Sequence, residues 1–141
     1  MLCADTSFLF SLYRRDAHSS DAFERLNKTA QPLLLSALNE FELGNALRLA
    51  EYRGLLASGG AVGRLEAFQE DRLAGLWQRS GIPLDEMVAA AEGLSATHTV
   101  KAGHRAFDIL HVAHAQLARP KLFLSFDANQ LQLAKAAGLR C

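Results

Sequence analysis

Cysteine is scarce: only Cys3 and Cys141 occur, at opposite ends of 141 residues, in no CxxC or Cys/His spacing. That excludes a disulfide framework and the usual zinc ligand patterns. Proline is scarce too, with three residues, and no repeat or low-complexity tract interrupts the chain, so nothing marks a linker between two units. No run approaches the roughly 18 consecutive apolar residues of a membrane helix. The opening MLCADTSFLF meets an aspartate too early for a signal peptide. A cytoplasmic protein with no membrane association is expected. Net charge is absent as well, because fifteen basic and fifteen acidic residues cancel. A protein that coats nucleic acid through bulk positive potential is thereby excluded. A local basic surface can still be drawn from Arg14, Arg15, Arg25, Lys28, Arg48, Arg53, Lys101, His104 and Arg105. Scattered charge of this kind ordinarily serves solubility.

Half of the residues are hydrophobic, enough at this length to bury a core, and residues 1–141 are expected to form one domain. LCAD is a short apolar run ending in an acid, and the following SFLFSLYRR opens a helix. SSDAFERLNKTA places Phe23, Leu26 and Ala30 at helical spacing, and PLLLSAL is a compact strand. EFELGNALRLAEYRGLL carries Phe41, Leu43, Ala46, Leu47 and Ala50 on one helical side, with Gly54 as the expected stop. After Gly59 and Gly60, Val62, Leu65, Phe68, Leu73 and Leu76 predict a further amphipathic helix, and a connector holds Trp77 and Gly81-Ile82-Pro83. Two more helices, LDEMVAAAEGLSATHT and GHRAFDILHVAHAQLA, lead to the strand KLFLSFD and a last helix ending near Gly138. Strands alternating with helices predict an α/β fold with a mostly parallel sheet covered on both faces. Such sheets bind ligands beyond the carboxyl ends of their strands. LCAD and LFLSFD each end in an aspartate at that edge.

A carboxylate directly after an apolar strand is costly to desolvate, and a second beside it adds like-charge repulsion unless a cation or proton intervenes. Mg²⁺, a hard ion taken up by one or two carboxylates with waters and phosphate oxygens, supplies that cation. Ser7 and Ser125 each lie two residues from an aspartate, so on a strand they would share its side and orient the acids or a bound water. Asp108 stands inside the apolar helical stretch RAFDILHVAHAQLA, where an acid on the core side needs a partner. Only one of Glu40 and Glu42 can face such a site, since positions two apart point to different sides of a helix.

At these residues the sequence resembles the PIN-domain family and, within it, the VapC-type toxins of bacterial toxin–antitoxin pairs. The resemblance covers nearly the whole chain. It rests on ADTSFL with Asp5, SALNEFELGNAL with Glu42, RAFDILHVAHA with Asp108 and LFLSFDANQLQLAKAAGL with Asp127. In the family pattern the glutamate stands six residues after the serine closing the second strand, which selects Glu42. The resemblance implies an α/β/α sandwich, Mg²⁺-dependent RNA cleavage with Mn²⁺ able to substitute, a homodimer, and a cognate antitoxin that blocks the site. Asp5 and Asp108 would hold a metal, with Glu42 and Asp127 holding a second ion or orienting waters. Ser125 stands where threonine is more frequent in the family, and Cys3 where an aliphatic residue is usual. All four acids are present.

His111 and His114, spaced i, i+3, have no third nitrogen or sulfur ligand nearby and read as packing residues. Arg105, one turn before Asp108, reads as a surface ion pair or a contact to substrate phosphate. Phe8, Phe10 and Tyr13 read as core rather than as a base-stacking surface. The apolar content of several helices exceeds what a monomer of this size must bury, which fits a dimer or antitoxin groove. Other functions are weighed against this reading. An aspartyl-phosphate phosphatase would carry a second acid where Ser7 stands. A phosphorylation receiver would need an acidic pair after the first strand and a lysine after the last. A PIN-like binding protein without turnover would keep the acids for structure alone.

Overall fold

The computed structural model describes all residues, Met1–Cys141. Four short strands, β1 (Cys3–Ala4), β2 (Leu33–Leu35), β3 (Trp77–Arg79) and β4 (Phe123–Leu124), alternate with seven helices. β1 pairs with β4 and β2 with β3, both in parallel. A parallel bridge between Leu2 and Leu33 joins the two pairs into one layer of order β4-β1-β2-β3. The join is made by the Leu34 amide on the Leu2 carbonyl at 2.7 Å and the Leu2 amide on the Pro32 carbonyl at 3.1 Å. Every pairing is parallel.

Period-two alternation sends successive side chains to opposite faces. Leu2, Ala4, Leu33, Leu35 and Leu124 enter a core with α1 (Thr6–Arg14), α2 (Ser19–Thr29), α3 (Ala37–Tyr52) and α4 (Gly60–Leu73). Cys3 and Phe123 enter a second core with α5 (Leu84–Ala102), α6 (Ala106–Ala118) and α7 (Ala128–Ala136). Helices therefore cover both faces, which is the α/β/α arrangement expected.

Three helices that follow strands start on a side-chain oxygen accepting a first-turn amide. Asp5 accepts from Phe8 N at 2.9 Å to open α1, Asp127 accepts from Gln130 N at 3.0 Å to open α7, and Ser36 with Asn39 forms a capping box on α3. The two aspartates thus have a folding role in addition to any chemistry.

The structure corrects the sequence reading at four places. The expected connector at Trp77 is the edge strand β3, and Trp77 is buried, stacked on Phe68 at 4.3 Å, with its indole N–H on the Phe68 carbonyl. Only one of its three residues is buried, so no alternation shows. Second, Phe23, Phe41, Val62, Leu73 and Leu76 are exposed. α2 buries Ala22, and α4 buries Ala61 and Phe68, so each offers the core a narrower strip than its apolar residues suggest. Third, Ser7 lies in the first turn of α1 rather than on a strand. Fourth, Asp108 sits in the first turn of α6 and is only partly buried, rather than on the core side. Phe8 is core, while Phe10 and Tyr13 pack partly buried against it.

Candidate active site

The carboxyl edge of the sheet opens onto a cavity of about 360 Å³. Asp5, Glu42, Asp108 and Asp127 all line it, although the first and last are 122 positions apart in the chain. Each comes from a separate segment: the end of β1, the second turn of α3, the first turn of α6 and the residue capping α7. Glu40 turns away and is gripped through both oxygens by the Arg79 guanidinium, at 2.5 and 2.7 Å, so only Glu42 faces the cavity.

Asp5 is 2 % exposed. Besides the Phe8 amide it accepts from Ser7 Oγ at 2.8 Å and from Ser125 Oγ at 2.7 Å. Each serine oxygen is in turn fixed by a backbone amide, Phe126 N on Ser7 and Asp127 N on Ser125. A hydroxyl has one proton, so accepting from the backbone leaves each serine's proton for Asp5. Burial pushes the Asp5 carboxyl above its ordinary range despite these donors. Ser125 therefore meets Asp5 across the β1–β4 pair, and its link to Asp127 is through that residue's backbone.

Glu42 is held by two residues that carry no such signal in the sequence. Thr6 Oγ1 donates to its Oε2, and His111 Nε2 lies 2.5 Å from the same oxygen. Asn39 orients the imidazole. Its Oδ1 accepts from Ser36 N at 2.9 Å, so its Nδ2 carries protons and donates to the Ala4 carbonyl at 3.0 Å and to His111 Nδ1 at 3.2 Å. That arrangement puts a lone pair on Nδ1 and the proton on Nε2, aimed at Glu42. Burial alone would raise the Glu42 pKa, but the hydrogen bonds from His111 and Thr6, together with nearby positive charge including Arg105, hold the carboxyl below its ordinary value. Both ring nitrogens of His111 are committed, which agrees with reading it as structural. His111 was legible as a neighbour of Asp108, but its link to a glutamate 69 positions away had no local signal.

Asp108 and Asp127 share one cation. Arg105 Nε donates to Asp108 Oδ2 at 3.1 Å, and its Nη2 lies 3.7 Å from Asp127 Oδ2. Arg105 is thus an ion-pair partner to both.

Four hard oxygen donors facing one cavity, with Arg105 as their only direct ion-pair partner among Lys and Arg, are the donor set a divalent cation such as Mg²⁺ takes. As the side chains stand, no three His, Cys, Asp or Glu groups are gathered closely enough to chelate an ion. The fit lies in the chemistry of the donors and their common cavity, and closure would require the acids to draw inward as Arg105 is released.

The sequence matches the PIN domain family over residues 2–136. The chain belongs to the PIN domain family. Its fold is also that of the VapC20 toxin of Mycobacterium tuberculosis, a solved structure described as a sarcin–ricin loop cleaving toxin. The likeness has a TM-score of 0.68 at 22 % identity and covers 99 % of this chain and 96 % of that one. No curated protein matches the sequence. The fold of this PIN domain is the one the resemblance implied, and no helix is long and apolar enough to cross a membrane.

Proposed function

We propose that this PIN domain is a divalent-metal-dependent endoribonuclease, the VapC-type toxin of a toxin–antitoxin pair, acting in the cytoplasm as one domain over residues 1–141. The observation that carries the reading is the gathering of four carboxylates from four distant segments onto one cavity at the carboxyl edge of a parallel sheet. Like charges gathered this way call for a cation or a proton to offset them, and Arg105 pairs directly with only Asp108 and Asp127. The likeness to an RNA-cleaving toxin supports RNA as the substrate class.

Asp5 and Asp108 would hold Mg²⁺ or Mn²⁺, with Glu42 and Asp127 on a second ion or on its waters. The ion, when bound, supplies Lewis acidity and water activation at the scissile phosphate. Ser7 and Ser125 keep Asp5 in one orientation, and the Asn39–His111 pair does the same for Glu42, so these two carboxylates stay in place while Asp108 and Asp127 would do the closing. Ser125 acts here as a positioning residue. The exposed Phe23, Phe41, Val62 and Leu73 supply apolar surface for a second copy in a homodimer and for a cognate antitoxin.

A second reading, a PIN-fold binding protein without turnover, is favoured by the lack of a closed three-residue chelating group. The two separate in one assay: total cellular RNA incubated with purified protein in Mg²⁺, Mn²⁺ or EDTA, beside the Asp5→Asn variant. Discrete fragments that need both metal and Asp5 support the nuclease. Intact RNA under every condition supports the binding protein.

A further inference from the structure

The cavity has a second end that the four carboxylates do not explain. α1 and α3 follow parallel strands, pack side by side and run together away from the carboxyl edge. Ser7, Phe10 and Arg14 lie along one face of α1 at i, i+3 and i+7, and Glu42, Ala46 and Leu49 succeed one another along α3, with Arg53 capping its end. All of them line the same cavity. It therefore grades from acidic at the helix starts, through an apolar middle, to basic at the helix ends. At 1.5 Å per residue the basic end lies about 10 Å along α1 from Ser7 and about 16 Å along α3 from Glu42.

The two arginines have no carboxylate of their own. Of the ion pairs in the fold, none uses Arg14 or Arg53. Arg14 instead lies half-buried over the ring of Phe10, another cavity-lining residue, 5.5 Å from its centroid. Arg53 is exposed. Guanidinium groups left unpaired at the far end of a cavity suit a phosphate, to which they donate in pairs.

We propose that Arg14 and Arg53 form a subsite for a backbone phosphate flanking the scissile one, with the intervening nucleotide lying along the α1–α3 groove against Phe10. This rests on the nuclease reading for the substrate class and deepens it by fixing the direction in which RNA leaves the acidic end. The polarity of the cavity sets that direction: an RNA strand carries a negative charge at every step, and only this end of the groove offers unpaired cations.

The test is equilibrium binding of a fluorescein-labelled single-stranded RNA oligonucleotide, followed by anisotropy across a salt series. Ca²⁺ replaces Mg²⁺, and a gel checks that the probe stays intact. Wild type is compared with Arg14→Gln/Arg53→Gln and with Lys121→Gln/Arg140→Gln. The control pair removes the same charge at the opposite edge of the sheet, where the Lys121 and Phe123 amides bond the Met1 and Arg140 carbonyls. The subsite predicts that Arg14→Gln/Arg53→Gln raises Kd about tenfold at low salt and flattens the log–log salt slope by about 1.4, roughly 0.7 for each arginine that no longer neutralises a single-strand phosphate. The control should shift Kd less than twofold. Equal Kd and slope for the two double variants, or no binding by wild type, overturns the subsite. Because binding is read without turnover, failure to cleave RNA would count against the nuclease reading and not against this one. Cleavage with an unchanged Kd in Arg14→Gln/Arg53→Gln would do the reverse.

Discussion

Asp5 and Glu42 take their hydrogen bonds from neutral groups built into the fold, whereas Asp108 and Asp127, the latter also holding the Gln130 amide, share the guanidinium of Arg105, whose side chain is 78 % exposed. Depth does not separate the pairs, because the Glu42 side chain is 33 % exposed and that of Asp108 only 20 %. The kind of donor does. A hydroxyl, amide or neutral imidazole fixes a carboxylate while leaving its full charge to attract a cation, whereas a guanidinium both fixes and neutralises it. Under the proposed function, one half of the cavity would be pre-set for an incoming ion, and the other would be guarded by a cation of the protein's own that has to yield.

The largest expected contrast is in stability. Asp5→Ala removes the α1 cap on the Phe8 amide and leaves two serine hydroxyls without their acceptor, a loss of about 3 kcal/mol (about 1 for the cap and about 1–3 for the buried unpaired hydroxyls). Asp108→Ala breaks an exposed pair and should cost less than about 1 kcal/mol. Urea unfolding of both variants checks the difference, and equal losses would break the division between the halves.

Two histidines on α6 sharpen the same contrast. His111 is paired at both nitrogens, while His114, 1 % exposed, has an Nε2 without a partner, and burial pushes its pKa down to about 4. Between that value and the ordinary 6.5, the unfolded chain binds a proton that the folded chain does not. Stability therefore falls as pH drops through that window, by about 3 kcal/mol in all, and is flat with respect to this group above it. His114→Leu should remove that part of the slope in thermal melts between about pH 4 and about pH 7.

Asn39→Leu frees the His111 ring and with it Glu42. Loss of such an outer hydrogen bond lowers metal affinity by about 10- to 100-fold, measurable by calorimetric titration with Mn²⁺. The smallest effect runs the other way: Arg105→Gln removes the competing cation and should tighten Mn²⁺ binding by a few-fold, in proportion to an exposed ion pair of about 0.2–1 kcal/mol. Weaker binding in Arg105→Gln would instead make the arginine a support for the site.

The strand-then-aspartate pattern at LCAD and LFLSFD makes the parallel sheet and its chemical edge legible, since an acid closing an apolar run is a local signal. Asp108 is legible as an acid out of place, but not the side it takes: the first turn of α6 opens onto the cavity, not the core. Choosing Glu42 over Glu40 needs the resemblance, because the Arg79 that occupies Glu40 lies on β3, a strand hidden by having one buried residue. The Asn39–His111–Glu42 connection is beyond reach, because it joins α3 to α6 across 69 to 72 positions by hydrogen bonds that leave no periodicity. Phe23 and Phe41 mislead for the opposite reason: helical spacing is visible in sequence, but the width of the strip a neighbour covers is not.

The most direct test of the central claim, that acids from both halves of the cavity hold a divalent ion, is Mn²⁺ binding followed by electron paramagnetic resonance. It should be run on wild type, Asp5→Asn and Asp108→Asn, each shown by circular dichroism to be folded. The account predicts that Mn²⁺ affinity falls at least about tenfold in both variants, although one acid belongs to the neutral-donor half and the other to the Arg105 half. Wild-type affinity in either folded variant would contradict it.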